Sequence, residues 1–441
     1  MSALSRRAFL ASSAAAAASP AFGAVPASGD VDVVIVGAGA AGIAAARRIG
    51  AAGRRFALVE AADRLGGRCI TDTSLFGMPF DRGAHWLHMP DINPLAKLAP
   101  KTGLEVYPAP SGQRLRIGRR YAREGEMEDF LAAMVRSERA IADAVRNKPD
   151  ISCAQALPRD LGDWRGTVEF VLGPFGCAKS LDEVSAIDFS RSAERDIDAF
   201  CRQGMGALLA KLADGLAVRL STPATRIEAG SRLVAVDTPK GTLTARAAIV
   251  TASTNVLAAG KIRFVPELPK RQLDALAKLS LGSYDHVALE LAGNPLGLQS
   301  DDLVFEKAAG GRTAALLGNV GGSSLCLVEI AGRFGRELAA QGVDAMTAFA
   351  VDWLVGLFGG DIRGAVRRSH ATQWAKEPFV LGAFSAAAPG GQGSRKLLME
   401  PLRDRVFFAG EAIHETLWGT VGGAWESGER AAEAALKRFG R

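Results

Sequence analysis

Three glycines and one acidic residue near the start of the chain have the types and spacing needed to hold a phosphate-containing cofactor. The apolar run Val31–Val36 is followed at once by Gly37, Gly39 and Gly42. The first glycine allows a tight turn, the second lets the backbone approach a pyrophosphate, and the third allows close packing of a helix on a strand. Glu60 lies eighteen residues after Gly42, where it can accept hydrogen bonds from an adenosine ribose. The segment predicts a strand–turn–helix–strand unit that binds either NAD or FAD.

A second glycine turn follows Glu60 and helps to distinguish an FAD site from an NAD site. Gly66 and Gly67, with the adjacent cation Arg68, form another phosphate-facing turn. At this point the sequence resembles the flavin-containing amine oxidase family, which includes monoamine oxidases, polyamine oxidases and lysine-specific histone demethylases. The resemblance implies that the cofactor is FAD.

Further motifs resemble the same family in the same order along the chain. Residues 81–88 resemble the turn that passes the flavin ring, and Trp374 lies in a similar Trp-x-x-x-Pro-x-x-x-Gly-x-x-Ser stretch. Gly410-Glu411 and residues 420–424 resemble the C-terminal flavin motif. The matches run from residue 31 to about 436, and several separated motifs in one order are more specific than any single motif.

The resemblance assigns roles position by position. It gives Glu60 the ribose, Arg68 the phosphate side, and Glu411 a polar contact on the ribityl or phosphate side. It also brings Thr420 and Val421 to the flavin ring, where the N-terminal dipole of the last helix would stabilise negative charge on the reduced flavin. The complete predicted FAD set is Gly37, Gly39, Ala41, Gly42, Glu60, Ala62, Gly66, Gly67, Arg68, His85, Trp86, Thr225, Gly410, Glu411, Thr420 and Val421.

The chemistry implied by the resemblance is oxidation of a small amine. In this family FAD accepts a hydride from the carbon next to the amine nitrogen, and the imine then hydrolyses to an aldehyde or ketone. Such a reaction needs neither a nucleophile nor a metal, and no metal site is predicted. Trp374 and Trp418 are candidates for an aromatic cage around the amine, with plain core packing as the alternative.

Two positions depart from the family pattern. His286 aligns with a lysine that often holds a water near the flavin N5. A histidine there could hold that water, act as a base near neutral pH, or indicate an electron acceptor other than oxygen; a buried structural histidine is the alternative. Leu417-Trp418 stands where many relatives have Tyr-Pro, which shifts the cage aromatic by one position. The predicted acceptor is therefore oxygen or a periplasmic acceptor such as cytochrome c.

Composition excludes several other classes. The net charge is +6 over 441 residues, and the arginines and lysines are spread along the chain, which argues against a nucleic-acid surface. The five cysteines are an odd number without a Cys-x-x-Cys pair, which argues against a disulfide scaffold and a zinc site. Beyond the N-terminus, no apolar run is long enough to span a bilayer.

The N-terminal residues 1–24 are predicted to be an export signal rather than part of the fold. Arg6 and Arg7 are followed by Phe9-Leu10, an alanine-rich stretch and small residues before a predicted cleavage site. The arginine pair resembles a twin-arginine signal, whose machinery exports proteins that are already folded. The expected location is the periplasm.

The order of the predicted elements indicates an α/β fold with two interleaved domains. Strand-rich cofactor segments recur in residues 30–85, 205–264 and 395–441, which predicts a discontinuous Rossmann-like FAD-binding domain. Residues 86–204 and 265–394 are predicted to form an α+β substrate-binding domain.

Two other functions fit the same motifs. One is an FAD-dependent desaturase or porphyrinogen-type oxidase acting on a carbon–carbon or ring bond. The other is a flavin-binding protein without turnover. The sequence leaves open the amine, the electron acceptor and the oligomeric state.

Overall fold

The structure, a computed structural model, describes residues 31–193 and 197–439. The predicted export signal lies outside the described residues. In chain order the strands are β1 (Val33–Val36), β2 (Phe56–Val59), β3 (Thr71–Asp72), β4 (Phe80–Asp81), β5 (Leu87–His88), β6 (Val106–Pro108), β7 (Arg114–Ile117), β8 (Arg120–Tyr121), β9 (Asp198–Cys201), β10 (Val218–Arg219), β11 (Arg226–Ala229), β12 (Val234–Thr238), β13 (Gly241–Ala245), β14 (Ala247–Val250), β15 (Arg263–Val265), β16 (Tyr284–Leu291), β17 (Asp302–Glu306), β18 (Ala315–Gly318), β19 (Leu325–Ala331), β20 (Val366–Ala371) and β21 (Val406–Phe408). The α-helices are α1 (Ala40–Ala51), α2 (Pro94–Leu98), α3 (Glu124–Val145), α4 (Cys153–Ala156), α5 (Arg165–Phe170), α6 (Ala186–Ser190), α7 (Met205–Leu212), α8 (Thr254–Ala258), α9 (Lys270–Lys278), α10 (Gly332–Gln341), α11 (Val343–Phe358), α12 (Ile362–Ala365), α13 (Ser394–Leu398) and α14 (Val421–Lys437).

A five-stranded parallel sheet forms the centre of the cofactor-binding half. Its order is β10-β2-β1-β14-β21. The four residues of β1 are Val-Val-Ile-Val and are buried, because both faces of the sheet are covered. Val33 and Ile35 pack toward α1 and α14, while Val34 and Val36 pack toward a four-stranded sheet of order β13-β12-β11-β15. The central sheet thus joins strands from all three segments assigned to the FAD-binding domain.

A seven-stranded sheet of order β20-β16-β19-β18-β17-β7-β8 forms the other half. Side chains alternate along β16, so Val287 and Leu289 pack with α10 and α11. Tyr284 and His286 occupy the opposite face, which borders the cavity described below. The predicted α/β class with interleaved halves is confirmed, while the residue boundaries of the two domains stay a prediction.

Within the described residues, no helix combines the length and the apolar character that crossing a bilayer requires. The same residues contain no group of three or more histidine, cysteine or acidic side chains arranged to hold a metal ion.

Candidate active site

One cavity of about 910 Å³ connects the two halves of the molecule. One end is lined by residues of the two glycine turns and by Glu60. We call these turns together with Glu60 the cofactor cradle (residues 37–42, Glu60 and residues 66–68); Ala38 and Gly42 belong to the first turn but do not line the cavity. The other end is lined by aromatic and polar side chains, which we call the substrate wall: Tyr284, His286, Glu329, Trp374, Phe384 and Trp418. A shared cavity lets a cofactor in the cradle contact a small molecule at the wall.

The first turn of the cradle has the close approaches that its glycines predict. Gly37 has a φ of +101°, in the left-handed region, and a Cβ on Gly42 would overlap the carbonyl oxygen of Gly37. Gly39 caps α1 without a side chain, so the first N–H groups of the helix remain available to a phosphate. Gly42 does not line the cavity; its role is packing, as its position in the motif predicts.

Glu60 is fixed beside this turn. It is 8% exposed, and its two carboxylate oxygens accept hydrogen bonds from the backbone N–H groups of Ala38 at 2.7 Å and Ala62 at 2.9 Å. These bonds hold the carboxylate in one orientation at the end of β2 and leave lone pairs for further donors. Glu60 and Ala62 both line the cavity, as does Thr225 near the same end.

The second turn lies directly against the first. Gly66 donates its N–H to the carbonyl of Ala38 at 2.9 Å, and both Gly66 and Gly67 have positive φ values of 95° and 59°. The guanidinium of Arg64 donates to the carbonyl oxygen of Gly67 at 2.8 Å and thereby fixes the turn. The two bare turns together form a cradle whose backbone a dinucleotide can approach closely, so the residues present fit FAD.

Arg68 and Glu411 are partners of each other. Nη1 of Arg68 lies 2.8 Å from Oε1 of Glu411, and it also donates to the carbonyl of Ala383 at 2.6 Å. Glu411 further accepts from the hydroxyl of Ser385 at 2.8 Å and from the N–H of Gly419 at 3.0 Å. Burial raises the pKa of Glu411, but the charge and hydrogen bond of Arg68 outweigh it, so the pKa lies below its usual value. Both side chains line the cavity, and their ion pair also joins distant segments.

The last helix begins at the cavity. The Thr420 hydroxyl accepts a hydrogen bond from the N–H of Gly423 at 2.9 Å, and α14 starts at Val421. Both Thr420 and Val421 line the cavity, so the positive end of a 17-residue helix is directed at it. Gly410 lines the same region, and its N–H and C=O both bond the hydroxyl of Ser427 within α14.

His85 and Trp86 are both predicted to contact the flavin edge, but only one of them lines the cavity. Trp86 lines the cavity, whereas His85 does not. The Nδ1 atom of His85 lies 2.8 Å from the Asp81 carboxylate, and its ring stacks obliquely on Phe200 with centroids 4.5 Å apart. The physical reason is that adjacent residues leading into β5 point to opposite sides. His85 is thus held by Asp81 and Phe200 outside the cavity lining, and its contact with the flavin stays a prediction.

His286 lies in the substrate wall and is 4% exposed. Its Nδ1 lies 3.2 Å from the carbonyl oxygen of Asp81, a contact in which only the histidine can donate. Burial lowers the pKa of His286 to about 4, so the ring is neutral at physiological pH and Nε2 is an acceptor. Burial thus weakens this ring as a base near neutral pH, and its role among those expected from the sequence stays a prediction.

Two polar residues of the wall were missed by sequence reasoning. Glu329 on β19 pairs in register with His286 on β16, and it accepts a hydrogen bond from the Tyr284 hydroxyl at 2.6 Å. Tyr284 had a signal, because it precedes His286 by two residues on a strand and therefore shares its face. Glu329 had none, since its position depends on strand pairing.

The predicted cage residues both line the cavity. The indole N–H of Trp374 donates to the carbonyl of Arg82 at 3.0 Å, which fixes the ring. Trp418 is 1% exposed, belongs to a hydrophobic cluster, and has the guanidinium of Arg395 at 4.9 Å from its ring centroid. Arg395 in turn forms a buried ion pair with Asp188 at 2.7 Å, a second feature that sequence reasoning missed.

Comparison with known proteins identifies the class. The model of the flavin-containing amine oxidoreductase family matches residues 40–436. Polyamine oxidase 4 of Oryza sativa subsp. japonica is 26% identical over 454 residues, covering 92% of this chain and 89% of that protein. Human lysine-specific histone demethylase 2 is 26% identical over 434 residues, covering 91% of this chain and 53% of that protein.

Solved structures show the same fold. Cyclohexylamine oxidase from Brevibacterium oxydans matches with a TM-score of 0.77 and 22% identity, over 93% of this chain and 100% of that one. Wild-type putrescine oxidase bound to putrescine matches with a TM-score of 0.77 and 19% identity, over 93% and 99%.

The chain belongs to the flavin-containing amine oxidoreductase family. It is a flavin-dependent oxidoreductase that uses FAD to oxidise an amine. The main prediction from the sequence is thereby confirmed, and it fits better than a desaturase or a flavin-binding protein without turnover.

Proposed function

We propose that this protein oxidises a small amine with an apolar body in the periplasm and passes the electrons to oxygen or to a periplasmic acceptor such as cytochrome c. The observation that carries the proposal is the cavity that joins the cofactor cradle to an aromatic substrate wall. When bound, FAD supplies acceptance of a hydride from the carbon next to the amine nitrogen.

The wall favours an apolar amine body over a polycation. The rings of Tyr284 and Phe384 contact each other with centroids 5.7 Å apart, and Trp374 lines the same cavity, so a small apolar group can pack against this aromatic surface. A tryptophan face also attracts a cation. The Asp198 carboxylate that lines the cavity already bonds Nδ1 of His88 at 2.6 Å, so this acid is partly satisfied before any second ammonium arrives.

An amine panel tests this proposal. The purified protein is mixed without oxygen with cyclohexylamine, benzylamine, putrescine and spermidine, and bleaching of the flavin absorbance is followed. We expect the apolar monoamines to bleach the flavin faster than the two polyamines. Bleaching by none of the amines contradicts the proposal, and faster bleaching by spermidine contradicts the substrate class.

The acceptor and the location are tested separately. The bleached enzyme is mixed with oxygen or with cytochrome c, and the agent that restores the yellow colour faster is the acceptor. Replacing Arg6 and Arg7 by lysine is expected to retain the protein in the cytoplasmic fraction of the native host. Unchanged periplasmic recovery of this variant would contradict twin-arginine export.

A further inference from the structure

A buried carboxylate of the substrate wall has one oxygen without a hydrogen-bond partner among the described residues. Glu329 is 1% exposed, and its Oε2 accepts the Tyr284 hydroxyl at 2.6 Å. Its Oε1 has no hydrogen-bond partner within residues 31–193 and 197–439 and lies 3.9 Å from Nε2 of His286. Glu329 belongs to the residues that line the cavity, and its Oε1 is buried and unpaired there, so a donor that reaches this atom would supply the missing hydrogen bond.

Nε2 of His286 and Oε1 of the ionised Glu329 carboxylate are both hydrogen-bond acceptors. Because Nδ1 of His286 donates to the carbonyl of Asp81, Nε2 of the neutral ring can only accept. A neutral histidine forms no ion pair with Glu329, although the two side chains are close. An acceptor buried without a donor costs about 1–3 kcal/mol, so this part of the wall is complementary to a ligand that brings N–H groups. An amine or ammonium is such a ligand.

The reaction itself requires a proton acceptor. A simple aliphatic amine enters as an ammonium at neutral pH, and an ammonium nitrogen has no lone pair. Hydride departure from the neighbouring carbon is favourable only when a nitrogen lone pair can form the C=N bond. One proton must therefore leave the bound ammonium first, and a water-excluded wall must provide its destination.

We propose that Glu329 receives this proton and that the Tyr284 hydroxyl positions its carboxylate; this inference rests on the proposed function. One N–H bond of the ammonium breaks, an O–H bond forms on Oε1 of Glu329, and the electron pair stays on nitrogen. The neutral amine then gives a hydride, with two electrons, to FAD and becomes an iminium ion. Water hydrolyses the iminium ion to the carbonyl product and ammonium.

The electrostatic surroundings suit this role. Burial raises the pKa of Glu329 to about 7, against the hydrogen bond from Tyr284 and the nearby His85, which lower it. Tyr284 and His286 lie next to Glu329 on the paired strand β16. His85, which is bonded to Asp81, acts on Glu329 from the segment before β5. The pKa of His286, about 4, makes that ring the weaker base of the two. An acceptor with a pKa near the working pH is the efficient one.

A carboxylate accepts a proton only when it is ionised, so flavin reduction by the amine should fall as the pH is lowered through about 7. Removing the Tyr284 hydroxyl removes a hydrogen bond that lowers the pKa of Glu329. In Tyr284→Phe the fall in reduction rate at low pH, which is the acid limb of the profile, should therefore occur at higher pH.

The test compares wild type, Glu329→Gln, Tyr284→Phe and Glu290→Gln. The control residue Glu290 lies in the same sheet on β16, bonds Arg368 and does not line the cavity. Anaerobic flavin reduction by cyclohexylamine is measured from pH 5.5 to pH 10. We expect Glu329→Gln to be about 100-fold slower at pH 7 and to recover as the pH rises toward the pKa of the amine. The Glu290→Gln profile should match the wild type.

A second measurement needs no amine. Infrared difference titration of the FAD-loaded proteins should show a carboxyl C=O band that titrates near pH 7, that disappears in Glu329→Gln, and that shifts to higher pH in Tyr284→Phe. FAD content and thermal melting report whether each variant folds. A uniform loss of rate at every pH, or a missing infrared band in wild type, would overturn the inference. If no amine bleaches the flavin of the wild type, both the proposed function and this inference are wrong. If amines bleach it but the acid limb of the pH profile does not move in Tyr284→Phe, only this inference is wrong.

Discussion

The cofactor cradle and the substrate wall are built on different principles. The cradle consists mainly of backbone N–H groups at two glycine turns, and its geometry is set by residues close together in the chain. The wall consists of side chains on strands β16 and β19 and on loops, brought together by sheet register. Cofactor binding is thus specified locally, whereas substrate chemistry depends on long-range pairing.

The largest effect is expected in the cradle, at Gly42. A Cβ there would overlap the carbonyl oxygen of Gly37, so Gly42→Ala should abolish FAD retention and destabilise the fold. The matched control is Gly356→Ala in α11, where a Cβ meets nothing within 4 Å and should stabilise the helix by about 0.5–1 kcal/mol. Flavin absorbance and thermal melting measure both. Equal behaviour of the two variants would break the distinction between the cradle and ordinary helix glycines.

Glu60→Ala should have the next largest effect. It removes the acceptor for Ala38 and Ala62 and the predicted ribose contact, so FAD should bind about tenfold to 100-fold more weakly. Release of flavin fluorescence during dilution measures the affinity. FAD should be lost before the fold is; simultaneous loss would assign Glu60 a structural role.

At the wall, His286→Ala should keep FAD and change reoxidation more than reduction. Reoxidation is expected to change by about tenfold, the effect of losing about 1.4 kcal/mol of interaction. Stopped-flow measurement of both half-reactions separates them. Equal and small changes in both would remove His286 from the site.

The smallest effect is expected for Trp374→Phe. The substitution keeps an aromatic ring but removes the hydrogen bond to the carbonyl of Arg82, which should cost about 1 kcal/mol of stability. The apparent KM for the amine should rise a few-fold while FAD content stays unchanged. A loss of FAD in this variant would show that cradle and wall are not separable.

The difference between the two regions also explains what the sequence could predict. The strand–turn–helix unit, Glu60 and the start of α14 follow from local spacing and from motifs, so they are predictable from the sequence. The ion pair between Arg68 and Glu411 spans 343 positions, and although each residue was assigned to FAD, their contact was not predictable.

The wall shows the limit more sharply. His286 was identified by alignment with the family, but its neutral state depends on burial that only the packed sheet reveals. Glu329 follows His286 by 43 positions and reaches it through the pairing of β16 with β19. For His85 and Trp86, the motif placed both at the flavin, and the local backbone direction sends only Trp86 to the cavity.

An anaerobic titration tests whether one cavity holds FAD next to an amine at the substrate wall. Purified yellow protein is titrated with the fastest amine of the panel, and the bleached flavin and the carbonyl product are both quantified. We expect that one equivalent of amine bleaches one equivalent of FAD and yields one equivalent of aldehyde or ketone. Tightly bound FAD that no amine bleaches, or bleaching without a carbonyl product, would contradict it.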